Sequence, residues 1–322
     1  MDIDPRRPVL LVDALNVFMR HYIANPTMSD HGYHAGGIVG FLKSIRYLVD
    51  QIHPSQVIIA WEGGGSARRR TIFKDYKSGR RPQRLNRFYE DDIPNTVENK
   101  NYQVTRCIDI LKLVPVKQVY VPDCEADDVI GYLVKNTFSN QRCIIASSDR
   151  DYYQLLSNRV IQWSPGQKKF ISAGEVKRKF NISPENFCVA RCFCGDGSDS
   201  IPGIKGAGFK TLAKRFPELS SSEFTSVEEI LSLSEQRSSN SKIKLYHNIL
   251  EDRDVPRRNW KLMYLDTANL SANQIQKING IIDTFELSRN KIGLMRMLKQ
   301  EGLLTFDADS FFMTLNTVPK SE

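Results

Sequence analysis

Two hydrophobic rhythms alternate along the first half of the chain. Residues 9–12 form a short continuous apolar run ending at Asp13, the pattern of a buried strand. Over 39–52 the rhythm changes. Phe41, Leu42, Ile45, Leu48, Val49 and Ile52 recur at helical spacing and make an apolar stripe. Residues 57–61 read as a second strand, ending at Glu62, and 97–113 as a helix. A third strand over 119–121 is stopped by Pro122, a helix follows over 125–135, and 142–146 is a further strand shortly before Asp149. Strands alternating with helices predict an α/β fold whose central sheet is mainly parallel, with helices on both faces.

From residue 183 the pattern turns helical. A Gly-rich turn, GIKGAG at 203–208, separates two helical stretches, and 242–253 and 270–287 read as further helices. The serine-rich tract 220–241 is expected to be a poorly ordered connection, and 317–322 a frayed end. No internal repeat of solenoid type is present.

Composition adds little: 41% hydrophobic and 25% charged residues are ordinary for a globular protein. No apolar run approaches a membrane span, and MDIDPRRPVL lacks the apolar centre of a signal peptide, so a cytoplasmic location is expected (host cytoplasm if viral). The six cysteines show no zinc-ribbon pairing. Cys188, Cys192 and Cys194 are their only cluster, with no histidine nearby, and reduced buried thiols are the expected reading. Charge is more informative once located. Between Arg68 and Arg87 lie nine Lys or Arg residues and one acid, Asp75, which accounts for the whole net charge of +8. A single basic element on a nearly neutral body points to a polyanion.

The acids follow the predicted strand ends, where ligands of such sheets bind. Asp13 and Glu62 stand alone; EADD supplies Glu125, Asp127 and Asp128; DRD supplies Asp149 and Asp151; GDGSD supplies Asp196 and Asp199. Any one of them can be explained as a helix cap or a surface ion pair, and Asp127 and Asp128 suit a first helical turn. Nine carboxylates at one rim cannot all stay ionised without cations. Hard oxygen ligands without paired His or Cys select Mg²⁺, with Mn²⁺ as substitute, and two ions roughly 3.5–4 Å apart suit phosphoryl displacement.

Together these motifs resemble the 5′-nuclease family, which includes the 5′–3′ exonuclease domain of bacterial DNA polymerase I, the flap endonucleases and the ribonuclease H of T-even phages. LLVDALNVFMRHY is similar to its first segment, with Asp13 as metal ligand and Arg20 following. YKSGR matches its Tyr-Lys-x-x-Arg signature at Tyr76, Lys77 and Arg80. EADD, SSDRDYYQLL and GDGSDSIPGIKGAGFKTLAKRF match its later segments, and RNWKLMYLD at 258–266 is similar to a C-terminal stretch. There is one departure: Glu62 stands where the family usually has Asp, one methylene longer. Length and simplicity are closest to the phage enzymes.

The resemblance implies a nuclease core over 1–182, with a basic arch at about 63–100, and a helical DNA-binding region over 183–322. A helix–three-turn–helix is implied at about 185–216, with a K⁺ ion at its turn. All nine acids are implied as metal ligands, and Lys77 and Arg80 as catalytic cations facing the scissile phosphate. Arg20, Arg68, Arg69 and Arg70 would hold the backbone, and Phe73 and Tyr76 would stack unpaired bases. Gly203, Lys205, Gly206, Gly208, Lys210 and Lys214 would grip duplex phosphates. The expected activity is Mg²⁺-dependent 5′–3′ exonuclease and flap endonuclease cleavage by a monomer, acting on DNA and RNA–DNA hybrid with 5′ ends, flaps or nicks. The expected role is RNA-primer removal in replication beside a single-strand-binding protein or clamp. Two rivals are a single-strand ribonuclease of the related PIN type and a non-catalytic junction-binding protein. The basic arch and Gly-rich turn argue against the first, and the retained acids against the second.

Overall fold

The structure is a computed structural model, described here for residues 7–79 and 97–319. Its frame is a six-stranded sheet in the order β3-β2-β1-β4-β5-β6. β1 (Val9–Asp13) is central, pairing in parallel with β2 (Gln56–Trp61) and with β4 (Cys143–Ala146). β3 (Lys117–Tyr120) and β5 (Val160–Ser164) extend it in parallel, and β6 (Lys169–Ile171) closes one edge antiparallel. The predicted sheet is therefore mixed but mostly parallel.

Alternate side chains of β1 enter two cores. Leu10 and Val12 join the first, which holds α1 (Ala14–Ala24), α2 (Gly36–Ile52) and α4 (Val97–Leu111). Val9 and Leu11 join the second, with α5 (Ala126–Tyr132). α3 (Ala67–Ile72) follows β2 and is capped by Ser66, whose hydroxyl accepts from Arg69 N. Each large apolar side chain so buried contributes roughly 1.5–3 kcal/mol.

α2 buries eleven of its seventeen residues and lacks a side-chain cap of its own. Gln103 of α4, fully buried, supplies one: its Oε1 accepts from Gly37 N (3.0 Å) and Ile38 N (3.3 Å). The approach is so close that a Cβ on Gly37 would lie 2.6 Å from Phe18 and 2.7 Å from that oxygen.

The second half is helical as expected: α6 (Ala173–Phe180), α7 (Pro184–Cys194), α8 (Phe209–Arg215), α9 (Val227–Ser238), α10 (Lys244–Glu251), α11 (Asp254–Met263), α12 (Ala272–Thr284), α13 (Lys291–Gln300) and α14 (Ala308–Leu315). The serine-rich tract is not a loose connection, because it contains α9. Val227, Ile230 and Leu231 give it an apolar face, and Ser226 with Glu229 forms a capping box. Ser234 is buried on that face and bonds Ile230 O at 2.7 Å, so serine content masked a helical stripe.

The helices after 183 share the cores of the residues before them. Residues of α7, α8, α10 and α11 pack into the second core, while Leu294, Leu298, Phe311 and Leu315 of α13 and α14 return to the first. Among the described residues, no helix is long and apolar enough to cross a membrane.

His21 makes this packing pH-dependent. Its ring bonds Ser44 Oγ at 2.7 Å, and burial, with Arg20 nearby, lowers its pKa from 6.5 to about 4. Between those values the unfolded chain binds a proton that the folded chain refuses, so stability falls as pH drops from 6.5 towards 4. Discounted for partial exposure, the loss by pH 5 is about 1 kcal/mol. Denaturant titrations at pH 7 and pH 5 should show it, and His21→Gln should flatten the difference.

A carboxylate-rich candidate active site

The register of the sheet creates the rim. Asp13 ends β1 opposite Ala60, and Glu62 follows two residues after Ala60; β4 ends at Ala146, so Ser147 and Asp149 emerge beside Asp13. Asp13 Oδ1 caps α1 by accepting from Asn16 N (3.2 Å). Its Oδ2 accepts from Ser147 Oγ (3.1 Å) and Tyr152 OH (3.2 Å). Burial, and then the charge of Asp149, push the Asp13 carboxyl up to about 7, with Glu62 adding to the rise.

EADD opens α5 on the neighbouring side. Glu125 Oε2 accepts from Arg69 (2.9 Å) and Tyr76 OH (2.9 Å) and pairs with Lys77 Nζ (2.7 Å). Burial opposes the Glu125 charge, but Arg69 and Lys77 outweigh it and lower the pKa. Its Oε1 is buried with no hydrogen-bond partner among the described residues. Asp128 is gripped in bidentate fashion, Arg69 donating to both of its oxygens at 2.7 and 2.9 Å. Asp127 stands beside them, its carboxyl raised by burial.

The third group lies across from these. Asp151 pairs with Arg191 at 2.8 Å, and the same guanidinium reaches Asp196. Burial first, and then Asp149, Asp196 and Asp199, raise the Asp151 carboxyl to about 7 against the pull of Arg191. Asp199 is buried, and its carbonyl accepts from Lys77 N at 2.8 Å, tying the basic segment to the GDGSD loop.

All four acidic groups therefore meet. Tyr152 feels Asp13, Asp127 and Asp149, while Tyr76 feels Asp127 and Asp199. They are not equivalent, however. Both oxygens of Asp128 are taken by Arg69, and those of Asp196 by Arg191 and Ser198. As placed, these two hold cations of the chain, so either would have to exchange an arginine for an ion in order to ligate a metal directly. Among the described residues, no three His, Cys, Asp or Glu side chains are gathered closely enough to hold one ion as placed, since Arg69, Lys77 and Arg191 stand among them.

The basic segment divides likewise. Arg69 is only 1% exposed and also donates to Leu262 O, so it cannot hold backbone phosphates. Tyr76 is 7% exposed and bonded to Glu125, and Phe73 is half-buried under Arg258, 4.5 Å from its ring; neither offers a face for base stacking. Arg68 donates to Lys261 O and Asn269 Oδ1 rather than reaching outwards. Arg20 and Arg70 are exposed. Lys77 holds a left-handed backbone (φ 60°) that aims its ammonium at Glu125. Arg80 lies outside the described residues.

In the turn, Lys205, Lys210 and Lys214 are exposed, as are Gly203, Gly206 and Gly208. A Cβ on Gly203 would lie 2.1 Å from Cys194 O, so that glycine is needed for close packing.

Sequence reasoning assigned no role to Arg191 or Asn259. Fully buried, the amide of Asn259 donates to Cys192 O and Pro202 O, both at 2.8 Å, and so ties α11 to α7 and the turn. α11 carbonyls hold Arg68 and Arg69, and Gln154, just beyond DRD, donates to Met263 O. The RNWKLMYLD stretch thereby joins α3, the turn and the carboxylate loop. Only its likeness to the family could have marked it.

A family model described as "5′-3′ exonuclease, N-terminal resolvase-like domain" matches residues 8–181. The flap endonuclease Xni of Shewanella sp. (strain MR-4) is 29% identical over 270 residues, 80% of this chain and 90% of that protein. The 5′-3′ exonuclease of Aquifex aeolicus is 28% identical over 228 residues, 70% of this chain and 72% of its own. Among solved structures, the bacteriophage T5 D15 flap endonuclease with DNA and metal ions superposes with a TM-score of 0.67 at 18% identity, covering 92% of this chain and 98% of that one. The Rad2 catalytic core with DNA gives 0.56 at 12% identity, covering 98% and 93%; these two likenesses concern the fold. With more than half its length matched by the family model, the chain belongs to the 5′–3′ exonuclease family and is a structure-specific 5′ nuclease.

Proposed function

We propose that this nuclease hydrolyses phosphodiesters near the 5′ end of flapped, nicked or RNA-primed duplex, leaving 5′-phosphate and 3′-hydroxyl, with two Mg²⁺ ions (or Mn²⁺) at the carboxylate rim. The observation that carries the reading is the Asp13–Asp149–Asp151 side of the rim, where burial and mutual repulsion push two carboxyls to about 7. Such a group is completed by hard cations. The orphaned Glu125 Oε1 fits the same need. Asp13, Glu62, Asp127, Asp149, Asp151 and Asp199 are the residues that would hold the ions, with Glu125 through its uncommitted oxygen. Bound Mg²⁺ supplies positive charge that eases attack on the phosphodiester and departure of the leaving oxygen.

The chain's own groups do the rest. Arg69 and Arg191 fix the orientation of the acids they grip. Lys77, half-buried beside Glu125, turns its ammonium to the phosphate as charge develops there. The turn at 203–214 holds the duplex arm through exposed lysines and backbone amides, with K⁺ at the turn. Binding to two places on a bent substrate selects a junction by shape, not by base sequence. One rim carries the whole set, consistent with a monomer, and primer removal would bring a single-strand-binding protein or clamp as partner.

Lys77→Ala tests the assignment directly. The single-turnover rate on a 5′-flap substrate should fall about 10²–10³-fold while affinity changes little. An unchanged rate would remove Lys77 from the mechanism.

A further inference from the structure

A second basic feature lies at the β6 edge of the sheet. Residues 168–179 hold five cations (Lys168, Lys169, Lys177, Arg178 and Lys179) and one acid, Glu175. The net charge does not reveal it, because acids elsewhere balance it. Between the β5–β6 turn and α6 is an open cavity of about 360 Å³, lined among others by Gln167, Lys169, Arg178 and Lys179 with Tyr153 and Phe180 as its wall. All three cations are exposed. Glu175 does not cancel them. Its carboxylate caps α6 through Ser172 N (2.9 Å) and reaches only Lys169, at 3.4 Å.

The position of the cavity gives it meaning. Phe180, next to Lys179, packs 5.1 Å from Phe209, next to Lys210. α6 therefore packs against α8, the helix that carries Lys210 and Lys214. On the other side, Tyr153 is two residues beyond Asp151 and within the field of Asp149 and Arg150. The lining of the cavity thus packs against α8 through Phe180 and includes, in Tyr153, the short helical turn that starts at Asp151.

We propose that this pocket takes the phosphodiester backbone of duplex DNA, extending the duplex track from the turn towards the rim; this rests on the reading that the turn holds duplex. Duplex is favoured over single strand because the rings of the wall are packed on one another and not presented to a base. Tyr153 is 3% exposed, and Phe180 is enclosed by Tyr153, Phe187 and Phe209. Phe170, the exposed ring of β6, alternates to the opposite face from Lys169 and Ile171. What remains is a set of cations suited to phosphates alone.

The test is the salt dependence of binding. Fluorescence anisotropy with blunt duplex, 5′-flap and single-stranded DNA in EDTA, across a KCl series, gives the log–log slope for each. For duplex and flap, the triple variant K169A/R178A/K179A should lower the slope by about 2–3, near 0.9 for each phosphate no longer neutralised. The control K277A/R296A/K299A, exposed cations on α12 and α13, should change it by less than about 1 by the same rule. Circular dichroism verifies that both variants fold. A slope unchanged in the triple variant, an equal fall in the control, or a fall confined to single-stranded DNA would each overturn the proposal. Mg²⁺-dependent flap cleavage by the wild-type chain is measured separately. Its absence would sink the nuclease reading while leaving the duplex-slope comparison intact.

Discussion

Asp149→Ala should bind 5′-flap DNA in EDTA at least as well as the wild type, yet cleave it in Mg²⁺ at least about 10³-fold more slowly. The binding half follows from charge: removing an anion from a cleft that faces phosphates cannot weaken their approach. The cleavage half follows from position. Asp149 is the largest charge contributor to the raised pKa of Asp13 and also contributes to that of Asp151, so it adds to the negative charge felt by two acids that a cation would relieve. Loss of a metal ligand there removes several kcal/mol of charge stabilisation, and each 1.36 kcal/mol is about tenfold in rate. Asp196→Ala is the contrast. Its oxygens hold Arg191 and Ser198, so it acts through Arg191 on Asp151 and should cost only about 10–100-fold. Single-turnover rates over a Mg²⁺ series separate the two. Full activity in Asp149→Ala, or equal losses in both variants, would refute the division between ligands and supports.

That division explains what the sequence could and could not reveal. Strand ends were legible because β1, β2 and β4 are buried on both faces and read as continuous apolar runs stopped by a polar residue. Parallel register then forces Asp13, Glu62 and Asp149 to one edge, so convergence of the acids needed no knowledge of side-chain packing. The status of each charge did need it. Arg68, Arg69 and Arg70 are adjacent and chemically alike, yet α3 turns Arg69 inwards to α5 and α11 while Arg70 stays exposed. Their partners lie far along the chain, and no local pattern reports them. Charge totals mislead in the same way: they conceal the α6 cluster, which is balanced by acids elsewhere. Composition concealed α9, whose buried Ser234 looks like linker in a count of serines.

Arg69→Ala is therefore expected to act on stability before it acts on DNA. The guanidinium bonds Glu125, Asp127, Asp128 and Leu262 O, and the surrounding acids outweigh the opposition of burial to its charge. Removing it leaves several carboxylates buried without their counter-ion, a loss of about 3–5 kcal/mol for a broken buried pair. Denaturant unfolding should show a lower midpoint. The double variant Arg69→Ala/Asp128→Asn should recover at least about 1 kcal/mol, because the stranded charge is then gone. A phosphate-binding Arg69 would behave otherwise: stability would hold, and the salt slope for duplex binding would fall by about 0.9. Where Arg69→Ala remains folded, cleavage should still drop, since Lys77 and Tyr76 share the Glu125 oxygen that Arg69 helps to fix. A variant with unaltered stability and full activity would show that the α3–α5–α11 junction does not depend on this charge.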